Sequence, residues 1–374
     1  MSALRQEIEQ EIRKCGPLPF SRYMEMCLYH PELGYYSRNA AQFGKAGDFY
    51  TSSDVHAVFG RLLARQFEEM WRVLGSPEQI VLKELGPGRG LFAQDVLDWS
   101  GKKFPAFFHA LQYVLDERSP ALRERIRLIL SRHLKAGKAV LESGSDTAAP
   151  NIVFANEFFD ALPVEVLSSE GSLRIDSREG RFIETWAPAS PEELEFLDHY
   201  SIHPEPGERV EVPLQSQMQM RALASIERGF VVIIDYGYTR QEQLAGRHRG
   251  TLKAIRKHSM STTPYEAPGE QDITADVNFT ALAAVAELQG MQAQKIITQS
   301  QFLLGVGETN EFADAFEDCR VLQERAKVAL QLKHLVTPAG MGESFHVLVA
   351  SKGVEEEKVA ALAGLNFGHN ARVT

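Results

Sequence analysis

The stretch Glu84-Leu85-Gly86-Pro87-Gly88-Arg89-Gly90 decides the fold. An apolar run over residues 80–85 leads into it, and a helical pattern starts at Leu91. Three glycines in five residues let the backbone turn sharply and come close to a ligand, and the helix N-terminus beyond them offers free N–H groups. Strand, glycine turn and helix together form the opening unit of a parallel sheet wrapped by helices. The dinucleotide fingerprint G-x-G-x-x-G would need a third glycine at position 91, where this chain has Leu91.

Further along, short apolar runs bounded by Gly, Pro or Asp recur at residues 111–116, 151–155 and 230–235. Two more, at 294–299 and 345–351, flank a helical stretch from about 310 to 332. This order predicts an α/β fold, a doubly wound, seven-strand Rossmann-like sheet whose last strand runs antiparallel. Upstream, residues 1–75 form an N-terminal helical region that closes over the sheet. Within it, Val58, Phe59, Leu62, Leu63, Phe67 and Met70 keep helical spacing. Ser53 or Asp54 is the expected cap of that helix, and Gly75-Ser76-Pro77 the stop. The main domain then covers residues 76–352, with a tail over 353–374. Two regions break the alternation and are expected as insertions. Residues 165–225 suggest a short strand pair plus a helix, and residues 246–285 are rich in Gly, Thr, Pro and His.

The 374 residues are 44% apolar and 24% charged, enough to bury a sizeable core. Fifty acidic side chains against forty basic ones give a net charge of −10, which disfavours gripping nucleic acid or an anionic membrane surface. Apolar runs such as residues 229–234 are too short to span a bilayer. Cys15, Cys27 and Cys319 build no disulfide framework and no CxxC pair, and no Cys/His set has metal-ligand spacing. Free thiols imply a reducing compartment. The N-terminus is a charged amphipathic pattern rather than a signal or transit segment. The expectation is therefore a cytoplasmic protein with no metal, in which a homodimer is allowed.

The G-x-G-x-G spacing, with Glu84 two places before it, is similar to the cofactor loop of S-adenosylmethionine-dependent methyltransferases. There Glu84, Gly86, Gly88 and Gly90 would cradle the methionine part. The second strand ends in Asp116-Glu117, where an acid can accept hydrogen bonds from ribose hydroxyls. Glu117 is preferred over Asp116, the alternative being that both cap the helix after Ser119-Pro120.

Several further blocks resemble the MidA-like methyltransferases. They are Pro19–Met24 with His30-Pro31-Glu32-Leu33-Gly34-Tyr35-Tyr36, Gly47-Asp48-Phe49-Tyr50-Thr51-Ser52, Glu117-Arg118-Ser119-Pro120 and Ala155-Asn156-Glu157-Phe158-Phe159-Asp160-Ala161-Leu162-Pro163. Then come Ile234-Asp235-Tyr236-Gly237, Gly250-Thr251-Leu252 with His258, and Pro268–Val277. The blocks span residues 17–280, in order. Mitochondrial members of that family are assembly factors of respiratory complex I that methylate an arginine of a core subunit. The resemblance thus implies S-adenosyl-L-methionine as cofactor and a protein substrate, with reaction class carrying over better than substrate identity.

Methyl transfer is an in-line displacement, so the protein mainly positions the acceptor and tunes its protonation. A guanidinium acceptor, with a pKa above about 12, needs carboxylates to hold it. Residues 152–155 deliver Asn156, Glu157 and Asp160 to the carboxyl edge of the sheet, where ligands bind in such folds. Asn156 stands where glutamine-directed and small-molecule methyltransferases have the Asn of Asn-Pro-Pro-Tyr, but Glu157 and Phe158 replace the prolines. Glu157 and Asp160 are read as clamps on the acceptor and Asn156 as an orienting group. The plainer alternative makes Asn156 a turn residue and Asp160 a helix cap. Asp235, with Tyr236 beside it, is a candidate site acid or simply the turn former before Gly237.

In the 44–52 loop, Asp48 would meet a methionine amino group, and Tyr50 and Thr51 its carboxylate, as a lid or as a surface turn. The basic run Arg247, His248, Arg249, Lys253, Arg256, Lys257 and His258 is a solvated face or a docking patch for an acidic partner. Gln271, Asp272 and Asp276 are candidates for a substrate channel on the strength of the family blocks. A nicotinamide-dependent oxidoreductase is disfavoured by Leu91. A non-catalytic assembly factor with a relic pocket is disfavoured by the intact Glu84–Gly90 loop.

Overall fold

The computed structural model describes residues 2–38, 57–142, 149–256, 259–260 and 263–367. Helices α1 (Ala3–Cys15), α2 (Phe20–Tyr29) and α3 (Tyr35–Arg38) open the chain, with a two-residue strand β1 (Leu18–Pro19) between the first two. Helix α4 (Ala57–Val73) follows, and the expected caps Ser53 and Asp54 lie outside the described residues. The central sheet begins with β2 (Ile80–Leu85), the glycine turn and α5 (Leu91–Lys103), then β3 (Leu111–Asp116), β4 (Ala139–Leu141) and β5 (Ile152–Asn156).

The first insertion contributes β6 (Glu165–Ser168), β7 (Gly171–Arg178), β8 (Arg181–Ala187) and β9 (Val210–Val212). Strand β10 (Gly229–Tyr238) returns to the central sheet. The second insertion carries β11 (Lys253–Arg256), β12 (Ser259–Met260) and β13 (Asp272–Thr274), and β14 (Val277–Asn278) pairs beside β10. The chain ends its sheet with β15 (Gln292–Ala293), β16 (Ile297–Thr298) and β17 (Phe345–Lys352).

The central sheet runs β15-β17-β10-β5-β2-β3-β4, with β14 on β10 and β16 on β17. Strands β4, β3, β2, β5 and β10 are mutually parallel, and β17 is antiparallel to β10 over eight residue pairs. The expected antiparallel last strand is present. The sheet is nine-stranded rather than seven, because β4 and the two-residue pairings β14, β15 and β16, the last within the apolar run at 294–299, add to five longer strands. Strand β4 carries only three residues, too few for periodicity to reveal. Helices cover both faces, so the central strands are buried throughout: every residue of β17 from Phe345 to Ser351 is buried. Strand order reverses between β2 and β5, and the crevice outside their carboxyl ends is where such folds bind ligands.

The insertion at 165–225 holds more than a strand pair and one helix. Its hairpin β7–β8 turns at Glu179-Gly180, both with positive φ (50° and 72°). Strand β1 pairs with β7, so N-terminal chain and insertion share one five-stranded sheet. They also share one core, in which Leu4, Ile8, Tyr23 and Met24 pack with Leu173 and Ile175. Each such buried side chain contributes about 1.5–3 kcal/mol. The N-terminal helices are therefore fixed to the insertion rather than laid loosely over the sheet.

Candidate active site

The glycine turn leaves β2 with Gly86, Gly88 and Gly90 all in the left-handed region (φ 59°, 54° and 80°). Gly86 N–H donates to the Asp116 carbonyl at 3.0 Å, pinning the turn to the end of β3. A Cβ on Gly86 would lie 2.9 Å from the Phe158 ring, whereas one on Gly88 would meet nothing within 4 Å. Gly88 thus faces open space, and Gly90 ends the turn under Ile126 as the cap of α5.

That space is a cavity of about 530 Å³ outside the ends of β2, β3, β5 and β10. One side consists of Gly86, Gly88, Asp116 and Glu117. The other is made by Glu157, Phe158, Asp160 and Tyr236, with Tyr29, Tyr36 and Asp272 brought in by the N-terminal helices and the second insertion. Tyr29 donates its hydroxyl to the Ala161 carbonyl (2.9 Å) and Tyr36 to Asp272 Oδ1 (2.8 Å). These two bonds tie the N-terminal layer to the cavity wall. The aromatic residues Tyr29, Tyr36 and Phe158 received no role from sequence; the adjacent pair Tyr35-Tyr36 was the signal on hand.

Of the two acids ending β3, Asp116 pairs with Lys83 (3.1 Å). Glu117 accepts the Ser119 N–H at 2.8 Å. Burial pushes the Glu117 carboxyl up to about 7, against the backbone N–H groups that stabilise its anion. Glu84, expected among the cofactor ligands, does not line the cavity. It is buried behind the turn and accepts the Tyr113 hydroxyl at 2.9 Å, and burial raises it to about 8.

At the end of β5, Glu157 takes a left-handed conformation unusual for a side chain (φ 50°), with its N–H on the Ile234 carbonyl. Asn156 Nδ2 donates to Glu157 Oε1 at 3.2 Å, while its buried Oδ1 has no hydrogen-bond partner among the described residues. Asp160 is pushed up to about 7 by burial, with Asp276 adding to the shift and Lys253 opposing it.

Asp235 departs from its expected place among the site acids. It is wholly buried, does not line the cavity, and serves the loop above it. Oδ2 accepts the N–H groups of Phe158 (3.1 Å), Phe159 (2.9 Å) and Asp160 (3.3 Å), and Oδ1 that of Tyr236 (2.9 Å). It braces Glu157 and Asp160 from beneath, a hybrid of the two sequence readings.

Asp48, Tyr50, Thr51, Lys257 and His258 lie outside the described residues. The rest of the basic run offers no uncompensated patch. Arg249 pairs with Glu208 (2.5 Å), Arg247 with Glu242 (3.6 Å) and Arg256 with Glu270, while Lys253 (2.8 Å) and His248 (3.0 Å) share Asp276. Among the channel candidates, Asp272 reaches the cavity, and Gln271 instead bonds Ala267 N–H and the Thr263 carbonyl. Among the described residues, no cluster of His, Cys, Asp or Glu could hold a metal ion, and no helix is long and apolar enough to cross a membrane.

A glycine turn at the switch point, an acid ending the next strand and a cavity within the ~300–1,000 Å³ usual for cofactor sites define an S-adenosylmethionine-dependent methyltransferase. The residues present fit that cofactor: the room at Gly88 admits a ligand against the backbone, and Glu117 offers a half-buried acceptor beside it. Residues 62–297 match the family model described as "Putative S-adenosyl-L-methionine-dependent methyltransferase", and the chain belongs to that family.

It is 29% identical over 94% of its length to the protein arginine methyltransferase NDUFAF7 homolog, mitochondrial, of Drosophila melanogaster, 85% of which is covered. The human protein arginine methyltransferase NDUFAF7, mitochondrial, is 28% identical, with 90% of this chain and 80% of that protein covered. Among solved structures, a "likely methyl transferase from Burkholderia thailandensis bound to S-adenosyl-homocysteine" superposes with a TM-score of 0.83 at 28% identity, covering 98% of this chain and 96% of that one. The expectation of a cytoplasmic protein is overturned by the Drosophila and human relatives, which are named as mitochondrial. Free thiols and an amphipathic N-terminus are compatible with any reducing compartment, so they could not single out the cytoplasm.

Proposed function

We propose that the chain methylates an arginine nitrogen of a partner protein. The observation that carries this is the wall opposite the glycine turn, where Glu157, Asp160 and Asp272 converge with Tyr29, Tyr36 and Tyr236. A guanidinium is the acceptor this wall suits, because it pairs with carboxylates through parallel N–H bonds and stacks on aromatic faces. The names of the curated relatives support the same acceptor.

Bound S-adenosylmethionine supplies an electrophilic methyl group. Gly86 and Gly88 would bring backbone against its methionine part, and Glu117 would accept its ribose hydroxyls. Glu157, oriented by Asn156, anchors the guanidinium, and the aromatic wall keeps water away from it. As the new N–C bond forms, the methyl–sulfur bond breaks with its electron pair left on sulfur, S-adenosylhomocysteine is the leaving group, and one proton must leave the acceptor nitrogen. Asp160, a half-buried carboxyl raised to about 7, is suited to take it near neutral pH. The residues resembling the MidA-like family make a respiratory complex I subunit the expected partner.

The test is transfer of radiolabelled methyl into proteins of a lysate from cells lacking this chain, followed by acid hydrolysis. Label in methylarginine, lost with Asp160→Ala, supports the proposal. Label in another amino acid, or none, overturns it.

A further inference from the structure

We infer that a groove between α1 and α2 docks the stretch of the substrate protein flanking the modified residue, and that it selects a cationic stretch; this rests on the proposed arginine chemistry for its entry point. The groove holds about 790 Å³ and is walled by Glu7, Gln10 and Glu11 from α1 and by Arg22, Glu25 and Tyr29 from α2. It is continuous with the catalytic cavity, since Glu25, Tyr29 and Pro31 line both. A polypeptide that places one side chain beside Glu157 must run its backbone across that shared rim, and the groove is the path onward.

Carboxylates recur along the path. Glu7 and Glu11 lie outside, Glu25 at the rim, and Glu157, Asp160 and Asp272 within. Inside the groove Glu7, Glu11 and Glu25 outnumber the cations Lys14 and Arg22. Arg22 shows what the groove accepts: its guanidinium sits between Glu11 (2.8 Å) and Glu25 (2.7 Å). Glu7, by contrast, pairs with His30 Nε2 (2.7 Å), whose ring is held by the Leu33 N–H on Nδ1 (3.2 Å). Among the described residues no lysine or arginine pairs with Glu7, so it is the groove carboxylate open to an incoming cation.

The groove's length sets the length of the docked stretch. Its α1 wall runs from Glu7 to Cys15, about 12 Å at ~1.5 Å per helical residue. An extended chain rising ~3.3 Å per residue covers that in about four residues. Weak, half-exposed ion pairs over such a stretch amount to about tenfold in affinity.

Fluorescein-labelled peptides test this by anisotropy, titrated against the full chain with S-adenosylhomocysteine present. The probes are Gly-Arg-Gly and the same peptide extended by Lys-Gly-Lys-Gly on its N-terminal or its C-terminal side. One extension, and not the other, binds about tenfold tighter, and an eight-residue extension on that side gains nothing more. Glu7→Lys erases the gain, while the exposed Glu287→Lys, which changes net charge equally, leaves it. Equal binding of all peptides, or equal effects of the two charge reversals, overturns the inference. If only the arginine reading is wrong, norleucine in place of the central arginine leaves every Kd unchanged and, in parallel reactions with S-adenosylmethionine, no peptide is methylated, yet the one-sided gain persists.

Discussion

Glu117→Gln tests the cofactor half of the site. The side chain follows β3 into the cavity wall, and among the described residues no lysine or arginine pairs with it, whereas Asp116 beside it is held by Lys83. Two ribose hydroxyls donating to an ionised carboxylate make charge-assisted bonds of about 1.5–3 kcal/mol each, against about 0.5–1.5 for a neutral amide oxygen. The substitution keeps shape and removes charge, so it costs about 2–3 kcal/mol, or roughly 30–150-fold in Kd for S-adenosylhomocysteine.

The effect of pH sharpens this prediction. The free protein holds the Glu117 proton up to about pH 7. If the anion is the binding form, wild-type affinity falls about tenfold per pH unit below that value, and by about thirtyfold at pH 5.5. The Gln variant has no such proton, so its affinity stays flat and the two proteins converge in acid. The same linkage has a signature in stability. A carboxyl raised in the folded state favours folding below its unfolded value of about 4, and that contribution is lost as pH rises through 7. Unliganded protein should therefore lose stability across that window, and bound cofactor should restore it most above pH 7. Isothermal calorimetry between pH 5.5 and 8.5 is the assay. A wild-type Kd independent of pH, or a Gln variant binding as tightly as wild type at pH 8, refutes the role given to Glu117.

Two further outcomes follow from the opposite wall. Asp235→Ala leaves four backbone N–H groups without their acceptor, a loss of roughly 3–6 kcal/mol that denaturant titration should register while the cofactor Kd changes far less. Lys253→Met removes the cation that opposes the rise of Asp160, so the acid limb of the kcat/KM profile, near pH 7 in wild type, moves to higher pH, and Lys253→Arg brings it back; an unmoved limb excludes Asp160 as the titrating group.

The parallel sheet was legible because β2, β3, β5 and β10 are largely buried and so appear as short, mostly apolar runs that break at Gly, Asn or Asp. Glycine spacing and the acids at strand ends located the cavity. Strands β1, β4, β14, β15 and β16 were not legible, since two or three residues carry no period and exist only through their partners. The site was half legible for a related reason. Glu117, Glu157 and Asp160 leave strand ends directly into the cavity, so chain position predicts them. Glu84 and Asp235 also sit at strand ends, but the pleat turns them inward, to Tyr113 and to the 158–160 loop. Asp272 and Tyr36 meet across 236 residues of sequence, a contact that no local pattern encodes.

The pairing of β1 with β7 gives the N-terminal layer a function that a simple lid would lack. A lid must open at little cost, yet α1 and α2 share a core with the first insertion, and Tyr29 and Tyr36 are hydrogen-bonded to the 157–161 loop and to β13. Opening at that seam would expose several buried aliphatic and aromatic side chains at about 1.5–3 kcal/mol each. The aromatic half of the acceptor wall is therefore built in when the chain folds rather than recruited by substrate. Pre-organisation of this kind suits an acceptor that carries its charge at the end of a long flexible stem, because a wall already in place spares the ordering of both partners at once. Under the proposed function it would also separate the two ligands in space. The cofactor would rest on the side of the glycine turn and β3, and the acceptor on the side of α2, β13 and the loop braced by Asp235. Substitutions on one side should then leave binding on the other intact, and a Tyr36 or Asp272 variant that keeps full cofactor affinity while losing the acceptor is the behaviour this division requires.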